Sequence, residues 1–389
     1  MSRTQLLRGT VVLPDTVIDD GIVAVDGETI SDVLTTADWV GAHPSAEPPE
    51  PVGILLPGLV DIHCHGGGGA AFTTSDPMEA TAAATHHHLH GTTSVMASLV
   101  TAAADDLTGQ VTALAPLVPA GVVAGLHLEG PFLSTERCGA QDPGLILDPD
   151  PALTEKLLDA ASITMMTIAP ERPGYAEVAA LLRERGVVVA LGHSDASYEA
   201  FTDAIGALDH SAVVTHLANG MPPFHHRAAG PVGASLVAAA AADATLELIA
   251  DGEHTDAGFV RLTFATAGAH RVALVTDAMA AAGMTDGEYD LGSQRVGVRD
   301  GVARLVDTDG GFGSIAGGTS HLIENLARCV NDIGIPLVDA VRAASATPAA
   351  AVGIDGSCGS LEPGRNADVL VVDDRLSLQR VMRRGEWLG

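Results

Sequence analysis

Six residues stand out by type and place: His63 and His65 in DIHCHG, Glu129 in GLHLEG, His193 in LGHSDA, His216 in VVTHLANG and Asp277 in LVTDAM. Each closes a short apolar, β-branched run. Imidazoles and carboxylates gathered in this way suit a hard or borderline divalent cation, zinc above all. Six such groups exceed the needs of one four-coordinate ion that keeps a water, so one or two ions per chain are expected. Alternate residues of a strand share a face, so His63 and His65 point together while Cys64 points away toward the helices. The same rule sets His127 on the face of Glu129 but one layer deeper, as a hydrogen-bonded interior residue. A single histidine at a strand end is usually an ordinary core or loop residue, and the set of six at matching positions carries the signal.

Such groups meet only if the strands lie side by side and end at one mouth. The apolar runs Val60–His65, Thr93–Leu99, Val122–Glu129, Ile163–Ala169, Val187–His193, Ala212–Leu217, Thr245–Ala250 and Val272–Asp277 alternate with alanine-rich, helix-sized segments. Eight such units predict an α/β chain folded as a (β/α)₈ barrel over residues 57–356, with the six groups at its carboxyl-end face. Residues 285–311 are strand-like and punctuated by Gly and Asp, predicting a β-rich insertion over the mouth. Short β-branched runs with Asp-Gly turns at both ends of the chain predict one small β-sandwich domain built from residues 1–56 and 357–389.

Charge narrows the function classes. The 389 residues carry 49 acidic against 20 basic side chains, a formal charge of −29, with Lys156 the single lysine. Such a surface repels a polynucleotide backbone, so nucleic acid is not an expected partner. No apolar run approaches membrane-spanning length and the first residues do not resemble a signal peptide, which predicts no membrane partner and a cytoplasmic location. Cys64, Cys138, Cys329 and Cys358 are too scattered for a disulfide scaffold or a zinc knuckle.

PGLVDIHCHG (57–66) resembles the amidohydrolase superfamily. Within it, GLHLEGPFL (125–133), GHSDA (192–196), THLANGM (215–221), DGEH (251–254), LVTDAM (274–279) and LEPGRNADVLVVD (361–373) resemble the N-acetylglucosamine-6-phosphate deacetylases, in order and over essentially the whole chain. The resemblance implies metal-dependent hydrolysis of N-acetyl-D-glucosamine 6-phosphate to D-glucosamine 6-phosphate and acetate, usually by a homodimer. It implies Glu129 as a carboxylate shared between metals, with His193 and His216 on one ion and His63 and His65 on a second. Asp277 would be both a ligand and the catalytic acid–base, taking a proton from water and returning it to the leaving amine. Asn219, Gly220, Arg227 and His254 match substrate-binding positions, with Arg227 able to reach a neighbouring subunit's site. Gln141 stands where the family commonly has a histidine that contacts the substrate carbonyl, and it cannot titrate as histidine does. The galactosamine epimer of the substrate, or an inactive metal-stabilised binding protein, are the alternative readings.

Other features have plainer expectations. HHHLH (86–90) is expected on the solvated end of a helix, although His86 and His90 share a helical face. Lys156 is expected on a helix surface, away from any metal. Cys138 is expected to be a loop thiol.

Overall fold

The computed structural model describes residues 4–209, 212–307 and 309–389. All eight barrel strands occur in the predicted order: Val60–Asp61, Ser94–Val100, Gly125–Glu129, Met165–Ile168, Val188–Leu191, Ala212–Val214, Ala244–Ile249 and Val272–Val275. Neighbours in sequence are neighbours in the sheet and every pair is parallel. The strands are shorter than their apolar runs because several functional residues lie just past the last ladder bond.

The barrel is packed in layers. Outside, the strands and helices share one large apolar cluster that includes Ala80, Ala83, Leu107, Leu157, Val178, Leu182, Phe201 and Val260. Inside, Val60, Ile62, Met96, Met165, Ala190, Val213, Ile249, Ala273 and Val275 form a separate cluster, plugged by Ala349, Val352 and Cys358. Above it lies a polar layer: Ser98 Oγ meets His127 Nδ1 at 2.9 Å, His127 Nε2 meets Thr167 Oγ1 at 2.8 Å, and Thr167 meets Thr215 at 2.9 Å. Each buried polar atom in that chain has a partner, which is the condition for placing it in a core. His127 thus lies beneath the six-residue set, as its strand parity requires.

Strands from both ends of the chain join in one seven-stranded sheet, whose order runs from Glu386–Leu388 through Leu378–Arg383, Val369–Val372, Pro51–Pro57, Gln5–Val12 and Val17–Asp26 to Thr29–Thr35. Hydrogen bonding is unbroken across it, and one pair, Gln5–Val12 with Pro51–Pro57, is parallel. Residues Leu7, Val11, Val23, Val25, Leu55, Val369, Val371 and Met382 form its own apolar cluster. A third sheet, antiparallel and four-stranded, spans Gly287–Leu291, Gln294–Arg299, Val302–Val306 and Phe312–Ile315, extending four residues beyond the expected insertion.

Candidate metal centre and active site

All six predicted groups converge. His63 Nε2 and His65 Nε2 lie 3.2 Å apart, and Asp277 Oδ1 is 3.4 Å from the first and 3.1 Å from the second. His193 Nε2 and His216 Nε2 lie 3.1 Å apart, each about one hydrogen-bond length from Glu129 Oε1, at 3.0 and 2.9 Å. The other Glu129 oxygen, Oε2, is 3.3 Å from His65 Nε2. One carboxylate therefore faces both pairs of imidazoles.

The strand ends explain how. His193, His216 and Asp277 each adopt a left-handed backbone, with φ of 47°, 26° and 50°. For a residue with a Cβ this conformation costs on the order of 1 kcal/mol or more, and it is tolerated where the surroundings hold it. Here it ends the ladder and turns each side chain into the mouth. At Gly220 a Cβ would lie 2.8 Å from His193 Nδ1, so only glycine lets the loop after His216 close over that ring.

Donor chemistry fits a divalent cation. Pairs of ring nitrogens facing each other at 3.1–3.2 Å need a proton or a metal between them. Two nitrogen ligands of a tetrahedral zinc, at about 2.0–2.1 Å each, are separated by roughly 3.3 Å. His63, Glu129 and His216 form one group able to hold an ion, and His63, His65 and Asp277 another. Burial disfavours charge on His63, His65, Glu129 and Asp277, yet their neighbours outweigh it. His63 and His65 hold Asp277 well below the ordinary carboxylate range, and Glu129 is likewise depressed, chiefly by His63 and His193. In return the carboxylates raise His65 to about 9. The imidazoles and carboxylates thus share protons that a bound cation would displace.

Partners behind the ligands fix their orientation. His65 Nδ1 reaches the carbonyl of Ser98 at 3.0 Å and His193 Nδ1 that of Arg137 at 2.7 Å. His63 Nδ1 meets Glu247 Oε2 at 2.9 Å, and the same oxygen accepts the backbone N–H of His216 at 3.1 Å. Sequence reasoning missed Glu247, which is fully buried in ATLELI. A lone carboxylate inside an apolar barrel strand was the available signal. Carboxylates behind metal-binding histidines raise ligand basicity and set the tautomer. Glu247→Gln is expected to weaken metal binding about 10- to 100-fold, with turnover restored at saturating metal. A metal titration of the variant checks this, and an unchanged affinity would contradict it.

A cavity of about 290 Å³ opens on His65, Glu129, His193, His216 and Asp277, lined also by Gln141, Asn219, Gly220 and His254 and roofed by Leu291, Ser314 and Ile315 of the insertion. His254 Nδ1 meets Asp251 Oδ2 at 2.7 Å, and although burial opposes its charged form, that carboxylate raises its pKa. Gln141, at the position matched to the family histidine, lines the same cavity. Its Oε1 accepts the N–H of Thr101 at 2.8 Å and its amide nitrogen donates to Glu129 Oε2, so both ends orient the metal carboxylate.

Arg227 is not brought to this cavity within the chain. It is exposed and lines a separate cleft with Arg137, Tyr198 and His226. Lys156 sits half-exposed on helix Pro151–Ala160, 2.7 Å from Asp105, as expected of a surface cation. HHHLH is corrected: His87 and His88 are buried and His86 and His90 partly so. The loop at Gly66–Gly67 covers His87 and Arg383 and Arg384 face His88, contacts that arise only from tertiary packing.

A family model for amidohydrolases matches residues 54–388. The chain belongs to the amidohydrolase family. It is similar to the N-acetylglucosamine-6-phosphate deacetylase of Lysinibacillus sphaericus, 35% identical over 85% of this chain and 84% of the relative. An N-acetylgalactosamine-6-phosphate deacetylase of Escherichia coli O157:H7 is 32% identical over 91% of this chain and 97% of its own. Among solved structures, N-acetyl-D-glucosamine-6-phosphate deacetylase of Mycobacterium smegmatis superposes with a TM-score of 0.91 at 39% identity over 99% of this chain and 100% of that one. A mutant of that enzyme has been crystallised with N-acetyl-D-glucosamine-6-phosphate. Members of the amidohydrolase family hydrolyse with bound metal, and this chain supplies the ligand groups. Among the described residues, no helix is long and apolar enough to cross a membrane.

Proposed function

We propose that this chain hydrolyses N-acetyl-D-glucosamine 6-phosphate to D-glucosamine 6-phosphate and acetate. The observation that carries the proposal is the junction of Asp277 with the His63–His65 pair in a cavity that also exposes Asn219, Gly220 and His254. His193 and His216 with Glu129 would hold one zinc ion, and His63 and His65 a second, with Glu129 facing both. When bound, the metal polarises the acetamide carbonyl and acidifies water. Asp277, ionised at neutral pH, takes the proton of the attacking water. The same carboxyl then gives it to the departing amine nitrogen, a poor leaving group until protonated. Gln141 keeps Glu129 in position, and His254 with the Gly220 amide presents donors to the phosphate.

The substrate is a dianion and the chain is strongly acidic, so local cations must gather it. Arg227 suits that task by its bidentate fork, in the cavity of a neighbouring subunit within a homodimer. Its exposed loop, which also presents Phe224 at 52% exposure, supports this placement. Free thiols at all four cysteines accord with the reducing cytoplasm.

Acetate release from the phosphorylated sugar, its unphosphorylated counterpart and the galactosamine epimer tests the proposal. Preference for the first supports it, and faster turnover of the epimer, which the Escherichia coli relative's name favours, transfers the assignment. Arg227→Ala is expected to lower kcat/KM for the phosphorylated sugar about 10- to 150-fold, equivalent to roughly 1.5–3 kcal/mol. The unphosphorylated sugar should change little, because only the phosphate uses the missing charge. Equal losses for both sugars would remove Arg227 from phosphate binding.

A further inference from the structure

A second cluster of nitrogen ligands lies across the closing seam of the barrel. The eight-stranded sheet has the strands Val60–Asp61 and Val272–Val275 at its two ends. The seam between those strands is closed by few bonds: a bridge of Cys64 with Ala278, His65 N–H to the Ala278 carbonyl at 2.7 Å and Asp277 N–H to the His63 carbonyl at 2.9 Å. Helix Pro77–Leu89 follows the first strand and helix Leu322–Arg328 the last. His86 and His90 lie one turn apart at the end of the first helix, and His321 is the N-cap of the second.

These three rings meet. His86 Nε2 and His321 Nε2 are 2.9 Å apart, the His90 and His321 rings stack with centroids at 3.9 Å, and one ligand atom from each of the three lies within 4.8 Å of the others. We propose that His86, His90 and His321 form a zinc-type divalent-cation site, separate from the catalytic ligands, that staples the first and last units of the barrel together.

One hydrogen bond fixes a free lone pair in the cluster. His90 Nδ1 donates to the His86 carbonyl at 2.7 Å, which leaves its Nε2 as an acceptor. Glu324 Oε2 takes the His321 backbone N–H at 2.7 Å and stands 3.3 Å from His321 Nδ1, and in the same capping box the His321 side chain accepts the Glu324 backbone N–H. His86 Nε2 and His321 Nε2 share one proton at 2.9 Å, the position a cation would take in its place. Burial, helped by repulsion from the other two rings, pulls His86 down to about 4, and burial lowers His90 too. Both are neutral at pH 7, the form that binds metal.

At Gly283, in the loop after Asp277, a Cβ would lie 2.7 Å from His86 Nε2 and 3.0 Å from His321 Nε2, so only glycine lets this loop pack against the two rings. Three imidazoles and a water complete a tetrahedral zinc shell, and the lack of a carboxylate ligand disfavours magnesium or calcium. Glu324 behind His321 is the carboxylate partner that zinc-binding histidines commonly have.

Zinc content after dialysis against a zinc buffer, compared between wild type, His90→Gln and His321→Gln, is the test. The wild type should hold one equivalent more than either variant, and its zinc-dependent rise in Tm should exceed theirs, since a ligand that binds only the folded state stabilises it. Both variants should retain deacetylase turnover. Equal zinc content and equal Tm shifts would overturn the site. Should His321→Gln fail to fold, anomalous diffraction at the zinc edge from zinc-soaked wild-type crystals decides. A peak among the three Nε2 atoms supports the staple, and a peak at the catalytic residues alone overturns it.

Discussion

Asp277→Asn should fold and keep most of its metal, yet lose at least about 100-fold in kcat, because proton transfer by a positioned group is commonly worth 10²–10⁴. The amide keeps the shape of the carboxylate but cannot take a proton from water at neutral pH. In the structure Asp277 is buried with its side chain still 12% exposed to the cavity, 3.1 Å from His65 Nε2. Its neighbours hold it ionised, since the charges of His63 and His65 outweigh the effect of burial. Acetate release measured beside metal content separates its two duties. Loss of turnover with full metal assigns proton transfer, and loss of both in parallel assigns a ligand. Near-normal turnover in a folded, metal-loaded variant would contradict the mechanism.

Glu129→Ala is expected to be more damaging to metal binding than any change at a histidine. Its Oε1 serves His193 and His216 and its Oε2 faces His65, so one truncation opens both ligand sets. It also strands the Gln141 amide that now donates to Oε2. Metal analysis should show a loss at both positions, with turnover reduced by at least about 100-fold through the loss of metal-assisted chemistry. Changing His63 and His65 together to Asn should instead remove about one equivalent, because the Glu129, His193 and His216 set survives. Equal stoichiometry in the two variants would contradict a shared carboxylate.

Much of the architecture was legible because barrel strands are buried on both faces and read as short continuous apolar runs. VVVALG and RVALVTD announce themselves in this way, and the residue that ends each run falls at the mouth. The convergence was legible for the same reason: parity and strand order alone bring His63, His65, Glu129, His193, His216 and Asp277 together. Strand ends were less well placed. The left-handed turns at His193, His216 and Asp277 stop the ladders two to three residues early, and propensity for those residues gives no hint of it.

Residues whose role depends on a partner far away in sequence could not be read in advance. Glu247 acts through His63, 184 residues earlier, and Gln141 bonds Glu129 and Thr101. HHHLH looked like a solvated helix end because its periodicity carries no sign of the loop, the C-terminal arginines and His321 that cover it. Arg227 matched a substrate position by motif, while in the folded chain it is exposed beside a different cleft. The sequence by itself determined the barrel, the terminal β strands and the identity of the six groups that converge at its mouth, because burial pattern and strand parity are local properties. Tertiary structure alone decided which groups stand behind the ligands and what covers each helix, because those contacts depend on how distant segments pack and on which buried polar atoms must find partners.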